Sequence, residues 1–75
     1  MKRGIYKHFK GGIYKVLDVA IDSETLEEIV IYMALYECRD FGIGSLWVRP
    51  KKMFEEMVEI DGKKVPRFEY IEKNL

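Results

Sequence analysis

Apolar and polar positions alternate along this chain in short runs, each closed by turn residues. Residues 5–9 set Ile5, Lys7 and Phe9 against Tyr6 and His8, which predicts a short strand with one face inward. Lys10-Gly11-Gly12 supplies the positive φ of a tight turn. Residues 13–21 predict a second strand, with Ile13, Leu17, Val19 and Ile21 on one face and Tyr14, Val16 and Ala20 on the other. Two apolar faces imply cover on both sides for part of its length. Asp22-Ser23-Glu24-Thr25 is a polar turn whose side chains can bond nearby amides. Over residues 28–36 the β-branched and aromatic run Ile29, Val30, Ile31, Tyr32 favours strand over the helix that Leu26, Ile29 and Met33 also fit.

Residues 37–45 read as a loop with Gly42 and Gly44, and 44–49 as a fourth strand. Pro50 has no amide hydrogen to continue a central strand and suits the first position of a helical turn. Residues 51–56 therefore predict one helical or 3₁₀ turn, with Met53, Phe54 and Met57 inward and Val48, Met53 and Phe54 closing one end of the fold. A brief strand over 58–60, the Asp61-Gly62 hairpin turn and a return over 65–70 complete the chain. Together these predict an all-β domain. It would be a small antiparallel barrel of about five strands, closed or nearly so, because closure hides sheet edges.

Seventy-five residues make a single domain whose apolar side chains must nearly all serve the core. Zero net charge removes any bulk drive toward nucleic acid or membrane. The distribution is uneven: Lys2, Arg3, Lys7, Lys10 and Lys15 precede any acid, and Asp18, Asp22, Glu24, Glu27 and Glu28 follow without a base. Neighbouring strands of opposite sign are the simplest reading of that block pattern. Cys38 has no intrachain partner, and one Cys with one His does not make a common zinc site. No apolar run approaches a membrane span, so the expected location is the cytoplasm, with no metal or other cofactor.

Several residues can carry chemistry. His8 titrates near neutrality and Glu24 is its most plausible carboxylate partner; the plainer readings are a strand histidine bonded locally and a solvated turn residue. Arg49 and Arg67 each sit beside a Pro and an aromatic, a setting for bidentate capture of phosphate or carboxylate. The structural alternative is an ion pair with Glu24, Glu27 or Glu69. Trp47 and Arg49 share one strand face, opposite Leu46 and Val48. Tyr6, Tyr14, Tyr32 and Tyr36 align with His8 and Trp47 if the strands pair in sequence order. Such a surface, with Lys and Arg interspersed, binds single-stranded nucleic acid by stacking, or else serves as second core. No glycine-rich phosphate loop or Ser-His-Asp order is present.

The segments from Gly4 through Gly11, Tyr14-Lys15-Val16, Ser23-Glu24-Thr25, Val30-Ile31-Tyr32 with Leu35-Tyr36, Leu46-Trp47-Val48-Arg49-Pro50 with Met53-Phe54, and Pro66-Arg67-Phe68 carry a resemblance. In that order they resemble a family of short bacterial proteins catalogued as domain of unknown function 1653 (DUF1653). The resemblance implies a barrel of the SH3-like type and implies no activity. The leading expectation is a non-catalytic binding module in which His8, Tyr14, Glu24, Tyr32, Trp47, Arg49 and Arg67 hold an anionic, planar ligand such as a nucleotide or oligonucleotide. Two others stand beside it: a protein-interaction or oligomerisation domain using the same aromatics, and a small hydrolase using His8 and Glu24.

Overall fold

Alternation and turns resolve into seven strands and one helical turn in the computed structural model, which describes residues 1–36 and 40–73. In chain order these are β1 (Gly4–His8), β2 (Ile13–Ile21), β3 (Glu28–Ala34), β4 (Leu46–Pro50), α1 (Lys51–Phe54), β5 (Met57–Ile60), β6 (Lys63–Pro66) and β7 (Phe68–Glu72). Five strands form one antiparallel sheet in the order β4-β3-β2-β1-β7, and β5 pairs with β6 as a separate hairpin. The chain is all-β and mainly antiparallel, as the alternation predicts. Among the described residues β4 and β7 remain the two edges, so no strand pairing closes the sheet into a ring. None of the described helices is long and apolar enough to cross a membrane.

Of the seven strands among the described residues, five form the main sheet; the other two arise partly because the segment expected over 65–70 breaks at Arg67. Pro66 ends β6, having no amide hydrogen for a further rung. Arg67 then donates its N–H to the Glu56 carbonyl (3.0 Å) while its own carbonyl accepts the Phe9 N–H (2.9 Å). One residue thus hands the chain from the hairpin to the main sheet. At the other end of that hairpin Asp61 and Gly62 both take positive φ, 49° and 78°, the geometry a two-residue primed turn requires.

Strands β1 to β4 pair in sequence order, so aligned residues share a face. Val16 faces Tyr32, which faces Trp47; Tyr6 faces Tyr14; Val19 faces Val30, which faces Arg49. These rows make the concave side of the sheet. A bulge at Leu17 shifts the β2–β3 register by one residue between Val16 and Asp18. Every side chain beyond it therefore changes face. Val19 joins the core on the side of Tyr14 and Val16, not the side of Ile13 as plain alternation predicts. In β1, Ile5 and Tyr6 are both buried, so that strand is covered on two faces rather than one.

The core is Tyr6, Val16, Val30, Tyr32, Phe54 and Phe68, with Tyr14, Val19 and Trp47 packed against it. Phe54 and Phe68 lie face to face, centroids 4.0 Å apart and planes within 5°. Tyr6 and Tyr32 meet Phe54 edge-on, both at 5.4 Å. Of the residues expected to close the end, only Phe54 points inward. Val48 is 67% exposed, Met53 46% and Met57 51%. A single helical turn has room for one inward side chain, and Val48 belongs to the convex face with Leu46. The block pattern of charge reappears as Arg3 on Asp18 (2.9 Å), an exposed pair worth little by itself; Glu28, from the acidic block, pairs instead with Lys51 of the helical turn (3.0 Å).

Phe54→Ala is expected to cost about 3–5 kcal/mol, a large share of the stability of so small a domain. Met53→Ala, one residue earlier, should cost well under half of that. Urea midpoints for the two variants measure the difference.

Candidate functional site

Phe68 is the first residue of β7 and lies opposite His8 of β1. Its ring gathers the site residues. His8 meets it edge-on at 4.9 Å, Tyr32 at 5.5 Å and Tyr14 at 5.7 Å. The Arg49 guanidinium lies over it, 5.5 Å from the centroid. Cation–π contact of this kind is worth about 0.5–1 kcal/mol when exposed and more when desolvated. Arg49 is half-buried and makes no ion pair with any described residue.

Beyond this hub the concave face opens into two adjoining depressions. One, of about 330 Å³, is lined by Tyr14, Tyr32, Tyr36, Asp40, Phe41, Trp47 and Arg49. The other, of about 500 Å³, is lined by His8, Lys10, Gly11, Gly12, Ile13, Tyr14 and Tyr36. Tyr14 and Tyr36 form the wall between them, joined by a 2.6 Å hydrogen bond between their hydroxyls. Tyr36 sits so close to the β1–β2 turn that a Cβ on Gly12 would meet its ring at 2.8 Å. At the far wall the Trp47 indole N–H donates to Ser45 Oγ (2.9 Å), and Phe41 meets the indole edge-on at 5.2 Å. The first depression is thus walled by rings standing nearly perpendicular to one another.

The electrostatics at the His8 end are positive. Desolvation first, then Arg49, Arg67 and Lys10, hold the His8 pKa below its ordinary value of 6.5. His8 Nδ1 accepts the Lys10 backbone N–H (3.1 Å), which leaves the proton of the neutral ring on Nε2. Arg67 is held differently from Arg49. It pairs with Glu56 (3.0 Å), not with the expected Glu24, Glu27 or Glu69, while its Nε is buried without a partner.

Of the seven residues expected at one site, the structure gathers His8, Tyr14, Tyr32, Trp47 and Arg49 around Phe68 and the two depressions. Arg67 flanks His8 from the corner after β6. Glu24 is elsewhere: it lies in the β2–β3 turn, which Asp22 caps by accepting the Glu24 backbone N–H on Oδ1 (2.8 Å). His8 and Glu24 are separated by the nine residues of β2, about 26 Å of extended strand. The acid–base pair required for a His/Glu hydrolase is not assembled. Asp40 and Phe41 are linings that strand patterning misses because they reach the site from a loop; the loop's return to β4 is pinned by Ala34, whose N–H bonds the Ser45 carbonyl (2.9 Å).

Residues 4–70 match a family described as protein of unknown function (DUF1653). The chain belongs to the DUF1653 family. A crystal structure of a DUF1653 protein from Bordetella bronchiseptica is similar throughout, with a TM-score of 0.85 at 30% identity over 97% of this chain and 90% of that one. No curated protein matches the chain.

The folded protein binds the His8 proton less readily than the unfolded chain. The contribution of His8 to stability is therefore fully present above about pH 6.5 and is lost as pH drops from there through the depressed pKa. An NMR titration of the His8 ring should show a pKa below 6.5, and Arg49→Ala should move it upward without restoring it fully, because burial, Arg67 and Lys10 remain. Urea midpoints at pH 7.5 and 5.5 should differ in the same sense, with less stability at the lower pH.

Proposed function

We propose that this DUF1653 protein is a non-catalytic binding module of the SH3-like barrel type whose concave face takes an anionic ligand with a planar ring, a nucleotide or a short single-stranded nucleic acid. The observation that carries this reading is Arg49. It is half-buried at the rim of an aromatic depression, stacked on Phe68, and not neutralised by any described carboxylate through an ion pair. A guanidinium in that setting suits phosphate, because its planar fork matches two phosphate oxygens. Trp47 and Tyr14, only partly buried, offer ring surface against which a base can stack, an interaction worth about 1–3 kcal/mol per base, while the buried Tyr32 forms the floor beneath them. Lys10 and Arg67 extend the positive field along the second depression. The lone Cys38 fits a reducing compartment such as the cytoplasm. The free apolar edge of β4 favours a second reading compatible with the first, contact with another protein chain.

Trp47 fluorescence provides the test. Titration with a short oligo-dT or a nucleoside triphosphate should change the emission saturably, and affinity should fall as salt rises. Arg49→Ala should weaken binding by about 10- to 100-fold, the worth of a charged hydrogen bond of about 1.5–3 kcal/mol, with circular dichroism unchanged. Unaltered emission and unaltered amide chemical shifts with every nucleotide and oligonucleotide tried would abolish the anion-site reading.

A further inference from the structure

Strand β4 forms one edge of the five-stranded sheet, and its outer side meets no other strand among the described residues. The Ala34 N–H bonds the Ser45 carbonyl, and the β3–β4 register continues from that pair. In an antiparallel ladder the direction of the peptide groups alternates. Trp47 and Arg49 therefore turn their backbone groups toward β3, whereas Leu46 and Val48 turn theirs outward. The side chains of Leu46 and Val48 are also exposed, at 65% and 67%. They stand on the convex face directly beside Met33 and Ile31. Unpaired peptide groups and an apolar row thus coincide on one edge. Stable monomers usually blunt such an edge with lysine, a bulge or a covering segment.

We infer that a second copy of this chain covers the edge, with β4 pairing antiparallel to β4 about a two-fold axis at Val48. A two-fold interface must be complementary to itself, and this strand is. An axis at Val48 sets Val48 against Val48 through their outward peptide groups. At the next outward position Leu46 comes opposite Pro50, which has no amide hydrogen to leave unpaired and whose carbonyl, at the N-cap of α1, is already taken up by the helical turn. On the concave side it sets Trp47 of each copy opposite Arg49 of the other, cation beside indole. Moving the axis to Arg49 would oppose two guanidiniums, and moving it to Trp47 would leave Arg49 facing Ser45. Side-chain charge therefore selects Val48. The pairing joins the two concave faces edge to edge and adds the second copy's Arg49 to the Trp47 depression. This inference does not depend on the ligand reading, and either can fail alone.

Sedimentation velocity of the full chain, from low to high micromolar, should show reversible monomer–dimer exchange. Val48→Lys should raise the concentration of half-association at least tenfold while leaving the circular dichroism spectrum, and the Tm at a concentration where both proteins are monomeric, in place, since its side chain is exposed in the single chain. In a Cys38→Ser background, Val48→Cys should cross-link into dimers on mild oxidation. Hydrogen-bonded antiparallel partners hold their Cα atoms about 5.5 Å apart, within disulfide reach. Leu26→Cys, 75% exposed on the β2–β3 turn, is the control and should cross-link far more slowly. A monomer at every concentration, association that Val48→Lys leaves unchanged, or equal cross-linking of Val48→Cys and Leu26→Cys would each overturn the inference.

Discussion

The stack of Phe54 on Phe68 is the constraint from which the rest of this fold follows. Phe54 belongs to the helical turn directly after β4, and Phe68 opens β7. Those two strands are opposite edges of the same sheet. A contact between them can form only if the sheet curls until its edges approach over the concave face. Pro50 ends β4 and is itself the N-cap of α1, which places Phe54 over the sheet with no intervening loop. Arg67, tied through its backbone to both Glu56 and Phe9, fixes where Phe68 enters. Two local devices therefore aim the two rings that hold the curled sheet together.

Curling has a cost that decides where a site can be. A domain this small has few large residues for a core, and here the large ones are aromatic. Tyr6 and Tyr32 abut the stack edge-on, and each buried aromatic contributes about 150–250 Å² of buried surface. The stack lies toward one end of the concave face. At the other end Tyr14, Tyr36, Trp47 and Phe41 find no further core to pack into and line open depressions instead. Core and site are one aromatic sheet face, half of it roofed by Phe54 and half of it bare.

This continuity explains what could be read from the chain. Alternation in β1 to β4, together with tight turns, implies sequence-order pairing, and that pairing alone puts Tyr14, Tyr32, Trp47 and Arg49 on one face. The face of Val19 was illegible because the bulge at Leu17 has no composition of its own: it reverses the period-two pattern without a Gly or Pro to mark it. Glu24 fails as a site residue for a related reason. Proximity to Ser and Thr in sequence makes a turn, and a turn at the end of a nine-residue strand is carried away from the residues at its start. Arg67 looked equivalent to Arg49 because each neighbours a proline and an aromatic. Their surroundings differ: Arg67 turns a corner and has a carboxylate, whereas Arg49 lies along a strand face and, among the described residues, pairs with no carboxylate but lies over a ring.

Packing gives no reason for residue 49 to be arginine. Its position continues the row of Val19 and Val30, where an aliphatic side chain would pack on Phe68 without any charge to desolvate. A guanidinium there loses part of its hydration, pushes the His8 pKa down, and recovers little beyond a contact with the ring. Stability alone would favour valine or leucine at the end of that row. A charge kept at a place where packing does not need it is what motivates both proposals made above, a phosphate in the depression and the indole of a second copy across the β4 edge, since one side chain would serve either.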